Sequence, residues 1–238
     1  MKTLTAKAAS VLALSAIFST ASAASFDFVA MADDNSDDNY FGEMGFAELD
    51  VTVDGVNLKA TGTDTADYLN YLLGDYDGGL NNESAYLDSG TAGLGVCTVL
   101  TNSDQCNPSS DDNATADEVL NIVFDQEVIL ADLFFRDANH NTYGDTDDDF
   151  SLFIDGVFEG IFEYGSPITQ IFKGTMFGFS ADDYDVLTNT FSSDGDEFYI
   201  SSLETIPGGR EIPVPAAVWL LGSALGALGF TRRKQVKK

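Results

Sequence analysis

The sequence predicts an all-β protein: an antiparallel, jelly-roll-like β-sandwich ectodomain followed by one C-terminal transmembrane helix. Three observations predict it. Apolar residues through the middle of the chain recur with a period of two, the spacing of a half-buried strand. Asp-Gly pairs sit between two of these alternating segments, where a tight hairpin needs residues that tolerate positive φ. An uncharged run from Ile212 to Phe230 is followed at once by a basic cluster.

The strands follow in order. Leu49, Val51 and Val53 alternate with Asp50 and Thr52, Asp54-Gly55 turns the chain, and Val56, Leu58 and Ala60 alternate back. The stretch from Ala66 to Leu73 is the one segment that reads as a helix. Leu120, Ile122 and Phe124 alternate again, followed by Val128, Leu130, Leu133 and Phe135. Leu152 and Ile154 lead into Asp155-Gly156, with Val157 to Phe162 returning, and further strands are expected at Ile168 to Phe172, Thr175 to Phe179 and Glu197 to Leu203. Many short strands separated by Asp, Asn, Gly and Ser turns point to a sandwich. The segment from Ser103 to Asp117 reads as a polar loop.

Charge narrows the function. The chain has 238 residues, with 39 Asp and Glu against 11 Lys and Arg, a net charge of -28. Between Ala24 and Gly209 only Lys59, Arg136 and Lys173 face 38 acidic residues, a net charge of -35. Such a surface repels phosphate backbones and excludes ordinary nucleic-acid binding, while cations are its natural partners. Disorder is the rival for so acidic a chain. A hydrophobic content of 44% with 18 Phe and 9 Tyr favours one folded domain instead.

The ends place the chain. Residues 1–23 read as a secretory signal peptide, with Lys2 and Lys7 ahead of a short apolar stretch and Ala21-Ser22-Ala23 as the cleavage site. Residues 24–209 form the acidic ectodomain and residues 210–238 the tail. Within the tail, the nineteen residues 212–230 would span about 28 Å as a helix, close to the hydrocarbon thickness of about 30 Å. The basic stretch 231–238 stays on the cytoplasmic side and leaves the acidic domain on the other.

The tail also carries a motif. Pro213 and Pro215 precede Ala216, Trp219, Gly222 and Ser223, a Gly-rich apolar run follows, and Arg232, Arg233 and Lys234 close it. This order resembles the PEP-CTERM sorting signal, with Val214 standing where the name-giving motif has Glu. The resemblance covers about 27 residues. It implies export from a Gram-negative bacterium, an inner-membrane-anchored precursor, processing by the membrane enzyme exosortase, and delivery to the cell surface or an exopolysaccharide matrix. Family members share the tail and differ in their outer domains, so the tail names no ligand.

Two sites are expected in the ectodomain. Cys97 and Cys106 are close in sequence and exported, which favours a disulfide over a metal or redox site. Asp137, Asn139, Asn141, Asp145 and Asp148 fall at positions 1, 3, 5, 9 and 12 of a calcium-loop pattern. Position 6 is Thr142 rather than Gly and position 12 is Asp rather than Glu, and the flanks read as strands, so an EF-hand is not expected. A Ca²⁺ site in a loop between strands and a solvated acidic turn both fit these residues.

No catalytic residues are expected. His140 is the only histidine and lies in a polar loop, and no nucleophile elbow, zinc-protease helix or phosphate-binding glycine loop occurs. The expectation is a non-enzymatic, exported surface or matrix protein with a structural or exopolysaccharide-associated binding role. A Ca-dependent carbohydrate-binding or adhesive module is the alternative, and a secreted hydrolase the third reading.

Overall fold

Asp27 is where the fold first turns a corner in the computed structural model, which describes residues 23–33, 41–75, 79–142, 148–165, 171–192 and 196–208. Strand β1 (Ala24–Asp27) buries Ala24 and Phe26 and exposes Ser25 and Asp27. The Asp27 carboxylate then accepts from Ala30 N at 3.0 Å and caps the five-residue helix α1 (Phe28–Ala32). A helix start leaves such donors without partners, and an acidic side chain satisfies one of them.

After β2 (Met44–Phe46), strands β3 (Leu49–Val53) and β4 (Val56–Asp64) form the predicted hairpin with Val53 opposite Val56. Asp54 and Gly55 both take positive φ, 50° and 81°, as a two-residue hairpin loop requires. Asp64 ends β4 and caps α2 (Thr65–Leu73), accepting from Asp67 N at 2.8 Å, and Gly74 closes the helix at φ 76°. The helix expected from Ala66 begins one residue earlier.

Strands β5 (Ser84–Asp88) and β6 (Gly93–Cys97) form a hairpin the sequence pattern did not reveal. From Ala85 to Asp88 and from Gly93 to Cys97 every residue is buried, so no polar residues mark an outer face. Gly95 is small because the loop after Cys106 lies on it: a Cβ there would stand 2.2 Å from Asp112 O. Cys97 and Cys106 are joined by the expected disulfide.

The two alternating segments from Leu120 to Phe135 are one twenty-residue strand, β7 (Glu118–Asp137). Strands β8 (Asp149–Ile154) and β9 (Val157–Glu163) form the second Asp-Gly hairpin, with Ile154 opposite Val157 and φ of 50° and 79° at Asp155 and Gly156. Strand β10 (Phe172–Ser180) contains the expected Thr175–Phe179 segment, while residues 168–170 lie outside the described residues. A small ribbon of β11 (Asp183–Asp185) and β12 (Thr190–Ser192) precedes β13 (Phe198–Pro207).

Among the described residues eleven strands join one antiparallel sheet in the order β2-β5-β6-β13-β7-β10-β8-β9, with β1 on β13 and the β3–β4 hairpin on β7. Strand β7 connects its parts. Glu118–Phe124 pairs with β4, whereas Val128–Asp137 pairs with β13. Register shifts in β10 and β13 flank it, and such bulges bend a strand and sharpen its twist.

The bend is large. Phe26 stands opposite Leu203, which stands opposite Leu133, nine residues beyond Phe124 on β7. Nine residues of flat strand cover about 30 Å, yet the rings of Phe26 and Phe124 are 6.1 Å apart. The sheet therefore folds over and its two ends close on one core. Phe135 lies within that core against Phe150, Tyr164, Phe179 and Phe198, at centroid distances of 4.7 to 6.3 Å.

The opposite face of β7 is half covered. Tyr68 of α2 packs there on Val119, Phe153 and Tyr184. Gly178 makes room for it, since a Cβ at that position would meet Tyr68 OH at 2.4 Å. This second layer explains why Glu118 to Ile122 are buried without interruption.

No helix among the described residues is long and apolar enough to cross a membrane. The expected span 212–230, the basic tail 231–238 and residues 1–22 of the expected signal peptide lie outside the described residues.

Candidate functional site

Where the cover of α2 ends, the outer face of β4, β7 and β10 opens into a cleft of about 280 Å³. Register places its residues. Thr61 stands opposite Asn121, Lys59 opposite Val123, and Val123 opposite Met176, all pointing away from the core that Ala60, Ile122 and Phe177 fill from the other side. Tyr71 of α2, Leu80 and Asn81 wall the cleft on one flank, and Glu48 reaches it from the other side of Lys59.

Asn121 is the unusual residue. It is 1% exposed and interrupts an apolar run, Val119-Leu120-Asn121-Ile122-Val123. Its Nδ2 donates to Thr63 Oγ1 at 2.9 Å and to Val119 O at 3.3 Å, while its Oδ1 has no partner among the described residues. Leaving a buried acceptor unpaired costs about 1–3 kcal/mol. Thr61 Oγ1, by contrast, is satisfied by donating to Leu80 O at 2.6 Å, which ties the 79–82 loop to β4.

The rim is electrically matched. Lys59 Nζ bonds Glu48 and lies 3.6 Å from Asp50. The Glu48 hydrogen bond holds the Lys59 ammonium above its ordinary value. One of only three Lys and Arg residues between Ala24 and Gly209 is thus neutralised at the cleft mouth.

The residues of the calcium-loop pattern are partly described. Asp137 ends β7, and its Oδ1 accepts from Asn139 N and Asn141 N, both at 2.8 Å. Asn141 Nδ2 reaches Asp137 Oδ2 at 3.3 Å. The turn therefore brings Asp137, Asn139 and Asn141 together around one carboxylate. Asp148 lies just before β8 with its carbonyl accepting from Tyr164 N at 3.1 Å, and Asp145 lies outside the described residues. Among the described residues, one set of three His, Cys, Asp or Glu brings its ligand atoms within 4.8 Å: Cys97, Cys106 and Asp111. The disulfide already consumes both of its thiols.

The same turn positions His140. Its Nδ1 lies 3.1 Å from Gly90 O and its Nε2 3.0 Å from Asp88 Oδ2. A carbonyl only accepts, so Nδ1 carries a proton. Behind the ring, Tyr199 OH donates to Asp112 Oδ1 at 2.6 Å. Burial, then the neighbouring Asp112, pushes Asp88 up to about 6 against the pull of His140 and Tyr199. This cluster fastens the turn after β7 to the turn between β5 and β6.

A further carboxylate pair is buried near the β4 to β5 crossing. Burial pushes Glu83 up to about 8, with Glu118 and nearby aspartates adding to the shift. Burial pushes Glu118 up to about 7, opposed by hydrogen bonds from Thr115 and Thr98. Neither residue lines the cleft.

Sequence reasoning did not identify the cleft. Its one advance signal was Asn121, a polar residue at the centre of an apolar strand; the partners from α2 and β10 are brought in by the fold. The sorting residues Pro213, Pro215, Ala216, Trp219, Gly222, Ser223, Arg232, Arg233 and Lys234 all lie outside the described residues. A scan against protein-family models, a search of curated proteins and a search of solved structures each find no match to this chain.

Proposed function

We propose that this chain is a non-enzymatic, exported protein, anchored as a precursor in the inner membrane, processed by exosortase and delivered to the cell surface or an exopolysaccharide matrix. The observation that carries the reading is the tail itself, from Pro213 and Pro215 through Trp219, Gly222 and Ser223 to Arg232, Arg233 and Lys234. A disulfide-bonded, strongly acidic, antiparallel domain suits an oxidising compartment outside the cytoplasm. The ectodomain takes a jelly-roll-like sandwich arrangement in this reading, supported by the folding of the sheet onto one core. The domain's role outside the cell is structural or a binding role toward exopolysaccharide.

The test replaces Arg232, Arg233 and Lys234 with Ala and follows cell fractions and intact mass. The variant is expected to cross the inner membrane, with its retention and processing impaired. An unchanged mature mass and surface yield would overturn the exosortase assignment.

The second reading, a Ca²⁺-dependent carbohydrate-binding or adhesive module, draws on the turn around Asp137 and on the cleft. In it the Asp137 to Asp148 loop holds the cation and orders the neighbouring turn.

A further inference from the structure

The cleft on the outer face of β4, β7 and β10 admits a narrower assignment. We propose that it binds a single neutral sugar residue, one hexose unit of a polysaccharide chain. The assignment rests on the exopolysaccharide reading above for its choice of ligand and on the following geometry for everything else.

Size comes first. A volume of about 280 Å³ lies at the lower edge of ligand pockets, which run from about 300 to 1,000 Å³. It suits one ring rather than an extended peptide. Peptides that pair with sheets do so along an open strand edge, whereas this cleft lies on a face, over strand β7, whose neighbours β4 and β10 occupy both of its edges.

Chemistry comes second. A hexose presents C–H faces and a rim of hydroxyls, and it needs a surface with both characters. Val123, 38% exposed, and Met176 supply apolar floor, and the half-buried ring of Tyr71 supplies a flat wall. Asn121 lines the cleft as its buried polar residue, with an Oδ1 that has no partner among the described residues. Asn81 and the Lys59–Glu48 pair add donors and acceptors at the rim.

Charge decides between sugars. Lys59 is already matched by Glu48 and approached by Asp50, so a uronate, sulfate or phosphate arriving at the mouth would meet two carboxylates and no free cation. The ectodomain's -35 charge adds to that repulsion. A neutral ring meets no such barrier.

The experiment is saturation-transfer NMR on the full-length protein in a zwitterionic, sugar-free detergent, with methyl glucosides, galactosides and mannosides as probes and sodium glucuronate as the charged control. At least one neutral methyl hexoside shows saturable transfer, and glucuronate shows none. Val123→Lys fills the floor from an exposed position and abolishes the transfer, while circular dichroism confirms that it folds. Tyr71→Ala weakens binding about fivefold, as expected for the loss of about 1 kcal/mol of ring contact. The proposal is overturned if no neutral hexoside gives saturable transfer, if glucuronate alone does, or if Val123→Lys binds like the parent. Because this readout needs no processing, a failed sorting test leaves it untouched, and a failed binding test leaves the sorting assignment untouched.

Discussion

Asp155 and Thr175 are joined across the β8–β9 turn through one carboxylate oxygen. Asp155 Oδ1 accepts from Thr175 N at 2.9 Å and Thr175 Oγ1 at 2.7 Å, and also from Met176 N at 2.9 Å. Thr175 is the residue at which β10 slips register against β7. A bulge leaves a backbone donor without its ladder partner, and the Asp of the Asp-Gly turn supplies one. The same contact aims Met176 into the cleft, and the adjoining Gly156 lies against Tyr71, since a Cβ there would come 3.5 Å from its hydroxyl.

Asp155→Ala is therefore expected to destabilise the protein by about 1–2 kcal/mol at pH 7, the usual range for charge-assisted hydrogen bonds at an exposed position. Partial desolvation pushes the Asp155 carboxyl up, but the hydrogen bonds from Thr175 and Met176 outweigh it and the net shift is down. A lowered carboxyl contributes stability above its unfolded value of about 3.9, and that contribution is lost as the pH falls through the folded value. Urea unfolding at pH 7 and pH 3 should show the difference from the parent at the higher pH and its shrinkage at the lower. Equal midpoints at pH 7 would remove the bulge from the list of stabilising features.

Glu83 and Glu118 give the opposite sign. Their folded values are raised by burial, to about 8 and about 7, so the fold favours their protonated forms. The stability they allow is fully present below about pH 4.3 and is lost as pH rises through 7 to 8. Glu83→Gln keeps the shape, removes the charge, and is expected to raise the thermal midpoint by about 2–4 °C at pH 8 while leaving pH 5 nearly unchanged. Calorimetry at the two pH values measures it. A rise of the same size at both would mean that Glu83 does not titrate in this window.

The turn at Asp137 is expected to respond to Ca²⁺ specifically. Asp137 spends Oδ1 on the amides of Asn139 and Asn141 and keeps Oδ2 near the Asn141 side chain. A coordinated ion stabilises only the folded state, by mass action, whereas screening acts for any salt. Millimolar Ca²⁺ should raise the thermal midpoint more than Mg²⁺ at matched ionic strength, because the larger ion accepts irregular oxygen shells. Asp137→Ala should erase that difference. If both ions shift the midpoint equally in the parent, the loop is a solvated acidic turn.

Much of the antiparallel sheet was readable in advance because its signals are local. An Asp-Gly pair between alternating segments needs only its own backbone to specify a tight hairpin, and both turns, at Asp54 and at Asp155, form with the expected partners facing each other. The β5–β6 hairpin escaped because burial on both faces erases the alternation that marks a strand. β7 was read as two segments because the polar run Asp125-Gln126-Glu127 separates Phe124 from Val128, although the strand continues through it.

The amino-acid order alone determined what depends on neighbours in sequence: the acidic balance, the two hairpin turns, and the motif of the tail. Even the Cys97–Cys106 linkage belongs here, since nine positions of separation hold the two sulfurs within reach. Tertiary structure decided the rest. Lys59, Tyr71, Asn121 and Met176 are spread over more than a hundred positions, and nothing in that order ties them together until β7 pairs with β4 on one side and β10 on the other. The reason is geometric. A strand edge specifies that something pairs with it but not which distant segment does, and that choice belongs to the packing of the whole core.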